Sequence, residues 1–382
     1  MADAAPSGRD PDELAAYLAI AELPGIGPAR LRTLIAAFEG ARPALSAPHG
    51  AIAALPGWSR AAASAIRRLS LDKGRTILAA LAQLGATVLT PDDPRFPPLL
   101  REIPEAPQWL YAWGDLSLLL RRAAAMVGSR DHTSYGANAA ELLARGVARH
   151  AVVVVSGMAR GIDAIAHSAT LDAGGGSVGV LGNGFGVVYP ASNKELYQRM
   201  INRGCLITEL PPGEKPHAGA FPRRNRLVSG LAGATVIVEA APGSGALITA
   251  DCALDQGRQV LAVPGPITSP TSLGCNRLIQ QGAKPALCAA DILEELGIAA
   301  AHAENTPAPS ARPAGTIPAD CTPLQRALWE ALEPEPLHVD ALATGLAAGL
   351  TVATSDVLTA LTELELRGLV KQQPGMMFER QG

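Results

Sequence analysis

Hydrophobic residues in the first part of the chain recur at the three- to four-residue spacing of amphipathic helices. The segments DELAAYLAIAEL, ARLRTLIAAF and AAASAIRRL show this pattern, and Pro-Gly turns interrupt it at LPGIG (23–27) and LPGW (55–58). We predict an all-helical domain over residues 10–82, of the SAM or helix-hairpin-helix type. Gly25 and Gly27 either open backbone N–H groups toward a phosphate or only turn one packed helix into the next.

Residues 83–298 alternate short apolar runs with helical patterns. Apolar runs without polar alternation are typical of strands buried on both faces, as in a parallel α/β sheet. We predict an extended Rossmann-like domain with a mostly parallel sheet. Its expected strands are ATVLT (86–90), AAAMV (123–127), AVVVVSG (151–157), SVGVLG (177–182), CLITEL (205–210), ATVIVEA (234–240) and QVLAVPG (259–265).

Two further regions follow the sheet. Residues 299–318 are rich in Ala and Pro without periodicity, which indicates a linker. Residues 319–382 contain three helical patterns and a β-like end with a glycine turn, which predicts a winged-helix domain. From residue 322 onward, four basic residues stand against eight acids. Because duplex binding relies on neutralising phosphates, we expect this acidic domain to repel DNA and to have a protein-contact or regulatory role.

Composition narrows the function classes. The chain has 382 residues and a net charge of −3, so any nucleic-acid binding has to come from a local patch. The five cysteines are scattered, without C-x-x-C or zinc spacing, and we predict no cofactor. The N-terminus lacks a secretory h-region and no uncharged apolar run reaches transmembrane length. We expect a cytoplasmic protein without membrane contact.

Glycine-rich turns follow three of the expected strands. They contain Gly128, Ser129 and Arg130; then Gly157, Arg160 and Gly161; and finally Gly243, Ser244 and Gly245. Glycine allows close backbone approach to an anion, and the helix N-termini that follow offer unpaired N–H groups. Loops at the carboxyl ends of parallel strands gather at one edge, which predicts an anion-binding crevice there.

Several anion chemistries are disfavoured by the spacing of these residues. No G-x-x-x-x-G-K-[ST] motif for a nucleoside triphosphate occurs, and no G-x-G-x-x-G turn of the dinucleotide type runs into a helix. Asp163 and His167 are spaced i, i+4, but no third metal ligand is evident. Helix capping and surface pairing explain this pair better than a metal site.

The segment FPRRNRLVSG (221–230) concentrates positive charge. We expect FPRRNR to form a loop at the start of a short helix, on the side of the glycine turns. Arginines bind phosphate oxygens through paired N–H groups, and an aromatic ring can stack an unpaired base. This combination favours single-stranded nucleic acid, although one or two arginines should pair with acids such as Asp163, Glu209 or Glu239. The candidate residues added here are Phe221, Arg223, Arg224, Asn225 and Arg226.

Taken in order, several motifs resemble the DNA-processing protein DprA (Smf) family. They are VGSR, SGMARGIDAIAH, LGNG followed by VYP, TELPPG, FPRRNRLVSGL, VIVEAAPGSGALITA, GRQVLAVPG and GCNRLIQQGA, and the resemblance covers about residues 90–290. It implies a domain that binds single-stranded DNA without base specificity, through Arg130 and the segment 221–226. It also implies homodimerisation through the Rossmann-like domain and loading of the recombinase RecA onto incoming DNA in natural transformation. One departure is Gly186, where family members commonly carry an acid.

An enzyme of the lysine-decarboxylase-like phosphoribohydrolase type is the alternative, since its sheet has similar glycine turns. Those enzymes resemble P-G-G-x-G-T-x-x-E, with a catalytic glutamate. This chain reads PGSGALITA (242–250) and has Ala250 at the position of the acid. Without that carboxylate the obvious general acid/base is missing, so we predict a binding protein rather than an enzyme.

Overall fold

A computed structural model describes residues 10–299, 321–332, 337–346, 354–367, 369–373 and 375–380. The chain divides into two compact units, residues 1–303 and 304–382. Most of the predicted linker, 299–318, lies outside the described residues. In the described part of the chain, no helix is both long and apolar enough to span a bilayer.

The helices of the first unit begin in the N-terminal region and continue between the strands. They are α1 (Pro11–Ala21), α2 (Pro28–Phe38), α3 (Ala41–Ser46), α4 (His49–Ala53), α5 (Arg60–Arg67), α6 (Asp72–Leu84), α7 (Pro98–Glu102), α8 (Ser134–Ala148), α9 (Ile162–Asp172), α10 (Lys194–Arg203), α11 (Ala220–Gly230), α12 (Gly245–Asp255), α13 (Leu273–Gln280) and α14 (Ala289–Glu295). The expected all-helical N-terminal region is confirmed by α1 to α6.

The strands of the first unit form one sheet. They are β1 (Thr87–Leu89), β2 (Leu110–Gly114), β3 (Ala123–Val127), β4 (Val153–Ser156), β5 (Ser177–Val180), β6 (Cys205–Thr208), β7 (Ala234–Ile237), β8 (Gln259–Ala262) and β9 (Lys284–Pro285). The seven expected strands are present, though mostly shorter than expected. The strand β2 was not among them, since LYAWG lacks the continuous aliphatic run of the others.

The sheet has nine strands within the described residues, in the order β1-β2-β6-β5-β4-β3-β7-β8-β9. The strands from β6 to β9 in this order are parallel, whereas β1 and β2 add an antiparallel edge. Ala124 of β3 pairs with Val154 of β4 on one side and with Ala234 of β7 on the other. From β3, the strand order runs to β4, β5 and β6 on one side and to β7, β8 and β9 on the other. Because ligands bind at such a switch point, we expect the crevice outside the carboxyl end of β3.

Both faces of the sheet are covered by apolar clusters, which explains the uninterrupted runs of Val, Ile and Ala in the strands. A third cluster joins the N-terminal helices to the sheet, because Leu18 and Leu34 share it with Met158 and Phe185. The helical region and the sheet therefore have a common core. The domain boundary at residues 82 and 83 stays a prediction.

The second unit forms a winged helix, as the sequence predicts. It contains α15 (Pro323–Ala331), α16 (Val339–Leu346) and α17 (Thr354–Leu366), together with β10 (Leu337–His338), β11 (Val370–Gln373) and β12 (Met377–Arg380). The three strands pair in the order β10-β12-β11. A separate core that includes Leu328, Val357 and Phe378 holds these helices on the sheet.

Candidate nucleic-acid interface

Three glycine-rich loops meet at the carboxyl edge of the parallel strands. They leave β3 after Val127, β4 after Ser156 and β7 after Ile237. The first two loops are locked together at Gly161, which has a φ of +81°. A Cβ atom there would lie 2.7 Å from the Arg130 carbonyl oxygen and would also meet that of Ser129. Only glycine allows the two loops to come this close without strain, so Gly161 determines the position of the Arg130 backbone.

The segment FPRRNR lies in α11, not in a loop, so the expectation of a loop is wrong. Pro222 is the third residue of this helix. The first helical turn has no N–H partners within the helix, so a proline there removes no hydrogen bond. The prolyl residue is thus compatible with a helix that begins at Ala220. As expected, the segment lies on the side of the glycine turns, since Phe221 and Arg224 share clefts with them.

Arg224 is only 7% exposed and holds two strand ends together. Its Nη1 donates to the carbonyl oxygens of Gly157, after β4, and Val180, the last residue of β5. Burial lowers the pKa of Arg224 to about 10, with Asp163 opposing and Arg130 adding to the shift. At neutral pH the guanidinium still carries its charge.

Asp163 and His167 are buried, so the expected surface pairing is wrong. Asp163 accepts hydrogen bonds from the backbone N–H groups of Gly157 (3.1 Å) and Ala159 (3.3 Å). Burial raises the pKa of Asp163, and the nearby Arg224 counteracts that shift. The His167 Nδ1 lies 2.7 Å from the Ser177 hydroxyl, and burial, followed by repulsion from Arg224, lowers its pKa to about 3. Asp163 therefore shapes the loop after β4.

Arg226 forms an internal ion pair. Its Nη2 contacts both carboxylate oxygens of Glu209, at 2.7 and 2.6 Å, and both side chains are largely buried. This is one of the internal pairs that the sequence led us to expect. Glu239 does not pair with an arginine in the same way, because it accepts hydrogen bonds from Thr133 and Thr271.

Arg130, Phe221 and Tyr189 form a group at the crevice, in which Arg130 and Tyr189 are exposed and Phe221 is partly exposed. The Arg130 guanidinium carbon lies 5.8 Å from the centroid of the Phe221 ring. The Tyr189 and Phe221 ring centroids are 5.5 Å apart, with an interplanar angle of 38°. A cation and two aromatic rings in contact offer charge for a phosphate and apolar faces for a base. The structure thus brings Arg130 and the segment 221–226 together.

Three clefts adjoin at Arg224, which lines all of them. The first, of about 600 Å³, lies at the point where the chain order reverses, and its walls include Gly128, Ser129, Asn225, Ser244 and Gly245. The second, of about 280 Å³, contains Tyr189 and Arg160. The third, of about 470 Å³, lies between Arg223 and the turn Gly25–Gly27. We call the three together the groove; its predicted members are Gly128, Ser129, Arg130, Gly157, Arg160, Phe221, Arg223, Arg224, Asn225, Ser244 and Gly245.

Two family models match the two units of this chain. A family model described as DNA recombination-mediator protein A matches residues 87–297, and one described as the DprA winged helix domain matches residues 306–376. The Smf protein of Synechocystis is 32% identical over 96% of this chain and 99% of its own. The chain belongs to the DprA (Smf) family.

Solved DprA structures agree with the fold. The DNA processing protein A of Streptococcus pneumoniae has a TM-score of 0.66 and 32% identity, and the match covers 75% of this chain and 98% of that one. The Helicobacter pylori protein, whose structure was solved to explain its single-stranded DNA binding mode, has a TM-score of 0.51 and 26% identity. That match covers 56% of this chain and 97% of the other.

Three predicted site residues do not line the groove of this DprA-family chain. Arg226 is bound to Glu209, and Gly243 lines a separate cleft beside Ile267 and Leu273. Gly161 instead packs closely against the loop after β3. A DNA-binding role for each of the predicted residues stays a prediction.

Tyr189 was missed by the sequence reasoning, although it stands in the quoted VYP motif. The sequence does contain a signal for it. Tyr189 is an aromatic residue eight positions after Leu181, in a glycine-rich loop at the carboxyl end of a strand. The same loop contains Gly186, the position at which the resemblance to the family led us to expect an acid. Gly186 has a φ of +86° and open space around its α-carbon, a conformation that favours glycine.

Proposed function

We propose that this DprA-family chain binds single-stranded DNA in the groove, without base specificity. In this role it acts as a recombination mediator that loads RecA onto incoming DNA during natural transformation. Support comes from the DprA family models and from the Helicobacter pylori relative, whose structure is described by its single-stranded DNA binding mode. The observation that carries the proposal is the meeting of three clefts at Arg224, one of which is lined by Arg130, Phe221 and Tyr189 together.

Positive charge in the groove is concentrated in the cleft of about 280 Å³, which Arg130, Arg160 and Arg224 line. Acids such as Glu209 and Glu214 line the cleft beside Arg223, and the net charge of the whole chain is −3, so a phosphate backbone fits best between Arg130 and Arg160. Arg160 pairs with Asp131 at 3.1 Å, but both side chains are more than half exposed, and such pairs contribute little. A phosphate can therefore compete for Arg160. Phosphate contacts fix the position of a strand and do not read its sequence.

The aromatic pair favours unpaired DNA over duplex DNA. A base can reach the rings of Tyr189 and Phe221 only when its face is free, whereas a duplex keeps its bases paired and stacked. Stacking on an aromatic ring accepts any base, since every base has a π-face. The groove thus combines a preference for single strands with tolerance of sequence.

An electrophoretic shift assay tests the proposal. A single-stranded oligonucleotide and its duplex form are titrated with the full chain across a salt series. We expect tighter binding of the single strand, and affinity that falls as salt rises because counterions are released from the phosphates. Equal affinity for both forms, or no binding at low salt, would contradict the proposed function.

Loading of RecA and homodimerisation are the finer parts of the proposal. Both rest on the resemblance to the DprA family. Addition of this protein should accelerate RecA filament formation on single-stranded DNA, and the rate can be followed by fluorescence of a labelled strand. For the dimer, a chain ending at residue 303, which retains the first compact unit, should sediment as a dimer. A monomer at micromolar concentration would contradict dimerisation through the Rossmann-like domain.

A role without catalysis agrees with the carboxylates near the groove. Ala250 is buried in α12, at the position where the phosphoribohydrolase pattern has its acid. Asp163 lines the largest of the three clefts, but its hydrogen bonds to Gly157 and Ala159 fix the loop backbone. Release of free base from a nucleoside monophosphate would favour the enzyme instead.

A further inference from the structure

The two aromatic rings of the groove differ in how much of their surface is open. Tyr189 follows the glycine-rich loop after β5 and is 42% exposed. Phe221, in the first turn of α11, is only partly exposed, and the Arg130 guanidinium lies over its ring. The backbone at Gly182 is also close, since a Cβ atom there would lie 2.8 Å from the Phe221 Cδ1. Phe221 is therefore the inner ring and Tyr189 the outer one.

A base cannot fit between these rings. Stacked aromatic groups lie about 3.4 Å apart, the rise per nucleotide of a DNA strand, so an inserted base needs a gap of about 7 Å. The ring centroids of Tyr189 and Phe221 are 5.5 Å apart and the rings already touch. An incoming base has to stack on an outward face of the pair.

We propose that Tyr189 supplies the stacking surface for one unpaired base of the bound strand, with Phe221 supporting it from behind. This inference rests on the proposed function. Tyr189 and Pro190 line the cleft of about 280 Å³ together with Arg130 and Arg160. A base on Tyr189 therefore has two guanidinium groups in the same cleft for its flanking phosphates. The ring of Tyr189, rather than its hydroxyl, provides the contact.

Substitutions at Tyr189 test the inference through the affinity for single-stranded DNA. Fluorescence anisotropy with a labelled oligothymidylate should show about tenfold weaker binding for Tyr189→Ala, since loss of base stacking weakens binding by roughly this amount. Tyr189→Phe should stay within about twofold of the unchanged chain. Tyr135→Ala is the matched control, because Tyr135 is 46% exposed and lies outside the three clefts. Its affinity should also stay within about twofold.

A second arm changes the DNA strand and compares the unchanged chain with Tyr189→Ala. Abasic sites are placed one at a time along a short oligonucleotide. One position should weaken binding by about tenfold in the unchanged chain and by less than twofold in Tyr189→Ala. The inference is overturned if Tyr189→Ala binds as the unchanged chain does while Arg130→Ala is impaired. In that outcome the proposed function stands, whereas absence of any single-strand binding removes both.

Discussion

Replacement of Arg224 by alanine tests whether this residue supports the groove from inside. The change removes two hydrogen bonds, to the carbonyl oxygens of Gly157 and Val180, and leaves the Asp163 carboxylate buried without its nearby cation. A buried acceptor left without its hydrogen bond costs about 1–3 kcal/mol, so two such carbonyl oxygens and the uncompensated charge of Asp163 together cost about 3–5 kcal/mol of stability. We expect a loss of that size in the free energy of unfolding at neutral pH. The exposed neighbour Arg223→Ala should change it by less than about 0.5 kcal/mol.

The loss should depend on pH in a defined direction. Burial raises the pKa of Asp163, and Arg224 opposes that shift, so the pKa of Asp163 rises further in Arg224→Ala. A group with a raised pKa in the folded state binds its proton more strongly there than in the unfolded chain. The stability of the variant therefore increases as the pH falls from 7.5 toward 5. The difference from the unchanged chain should narrow over this range.

Urea denaturation followed by tryptophan fluorescence measures both effects. A Trp329→Phe background removes the signal of the second unit and keeps Trp58, Trp109 and Trp113, all in the first. Adding Asp163→Asn to Arg224→Ala should recover part of the lost stability, since no buried charge is left unpaired. If Arg224→Ala loses less than about 1 kcal/mol at both pH values, Arg224 is free to act as a direct ligand contact.

Three further predictions concern the loops, the internal ion pair and the second unit. Gly161→Ala should lower the stability and the affinity for single-stranded DNA more than Gly174→Ala does. Both glycines have a positive φ, but only at Gly161 would a Cβ atom clash with backbone oxygens. Equal effects in urea denaturation and anisotropy would contradict this. Arg226→Ala should lose about 3 kcal/mol of stability, since Glu209 is left buried. If Arg226 only serves the fold, the salt dependence of DNA binding should stay unchanged, and a shallower dependence would place it on a phosphate. A chain ending at residue 303 should keep the single-strand affinity of the full chain in a shift assay, and a large loss would show that the acidic unit contributes to binding.

The sheet could be predicted from sequence because its strands are buried on both faces. The run VVVV (152–155), which leads into β4, has no polar residue to suggest another structure, and glycine-rich turns mark where three strands end. The carboxyl edge as the location of the groove follows from these turns. The strand β2 escaped because its sequence, LYAWG, is aromatic and lies at the antiparallel edge.

The roles of the individual arginines could not be predicted in the same way. Arg223, Arg224 and Arg226 are neighbours in sequence, but a helix turns successive side chains by about 100°. Arg223 therefore remains exposed, Arg224 reaches the ends of β4 and β5, and Arg226 meets Glu209. A loop, which is what the sequence led us to expect, does not fix these different directions of the three side chains. The contact between Tyr189 and Phe221 was equally hidden, since 31 positions separate them and only the fold joins them.

The salt dependence of DNA binding by Arg130→Ala shows whether Arg130 holds a phosphate of the bound strand. Each phosphate contact on a single strand contributes about −0.7 to the slope of log affinity against log salt concentration. Anisotropy titrations give the slopes for the unchanged chain, Arg130→Ala and Arg149→Ala. Arg149 is the control because it is an exposed arginine just after α8 and lies outside the three clefts. We expect a slope shallower by about 0.7 and a weaker affinity for Arg130→Ala alone. Identical slopes and affinities for all three proteins would show that the strand does not bind where Arg130 meets Phe221 and Tyr189.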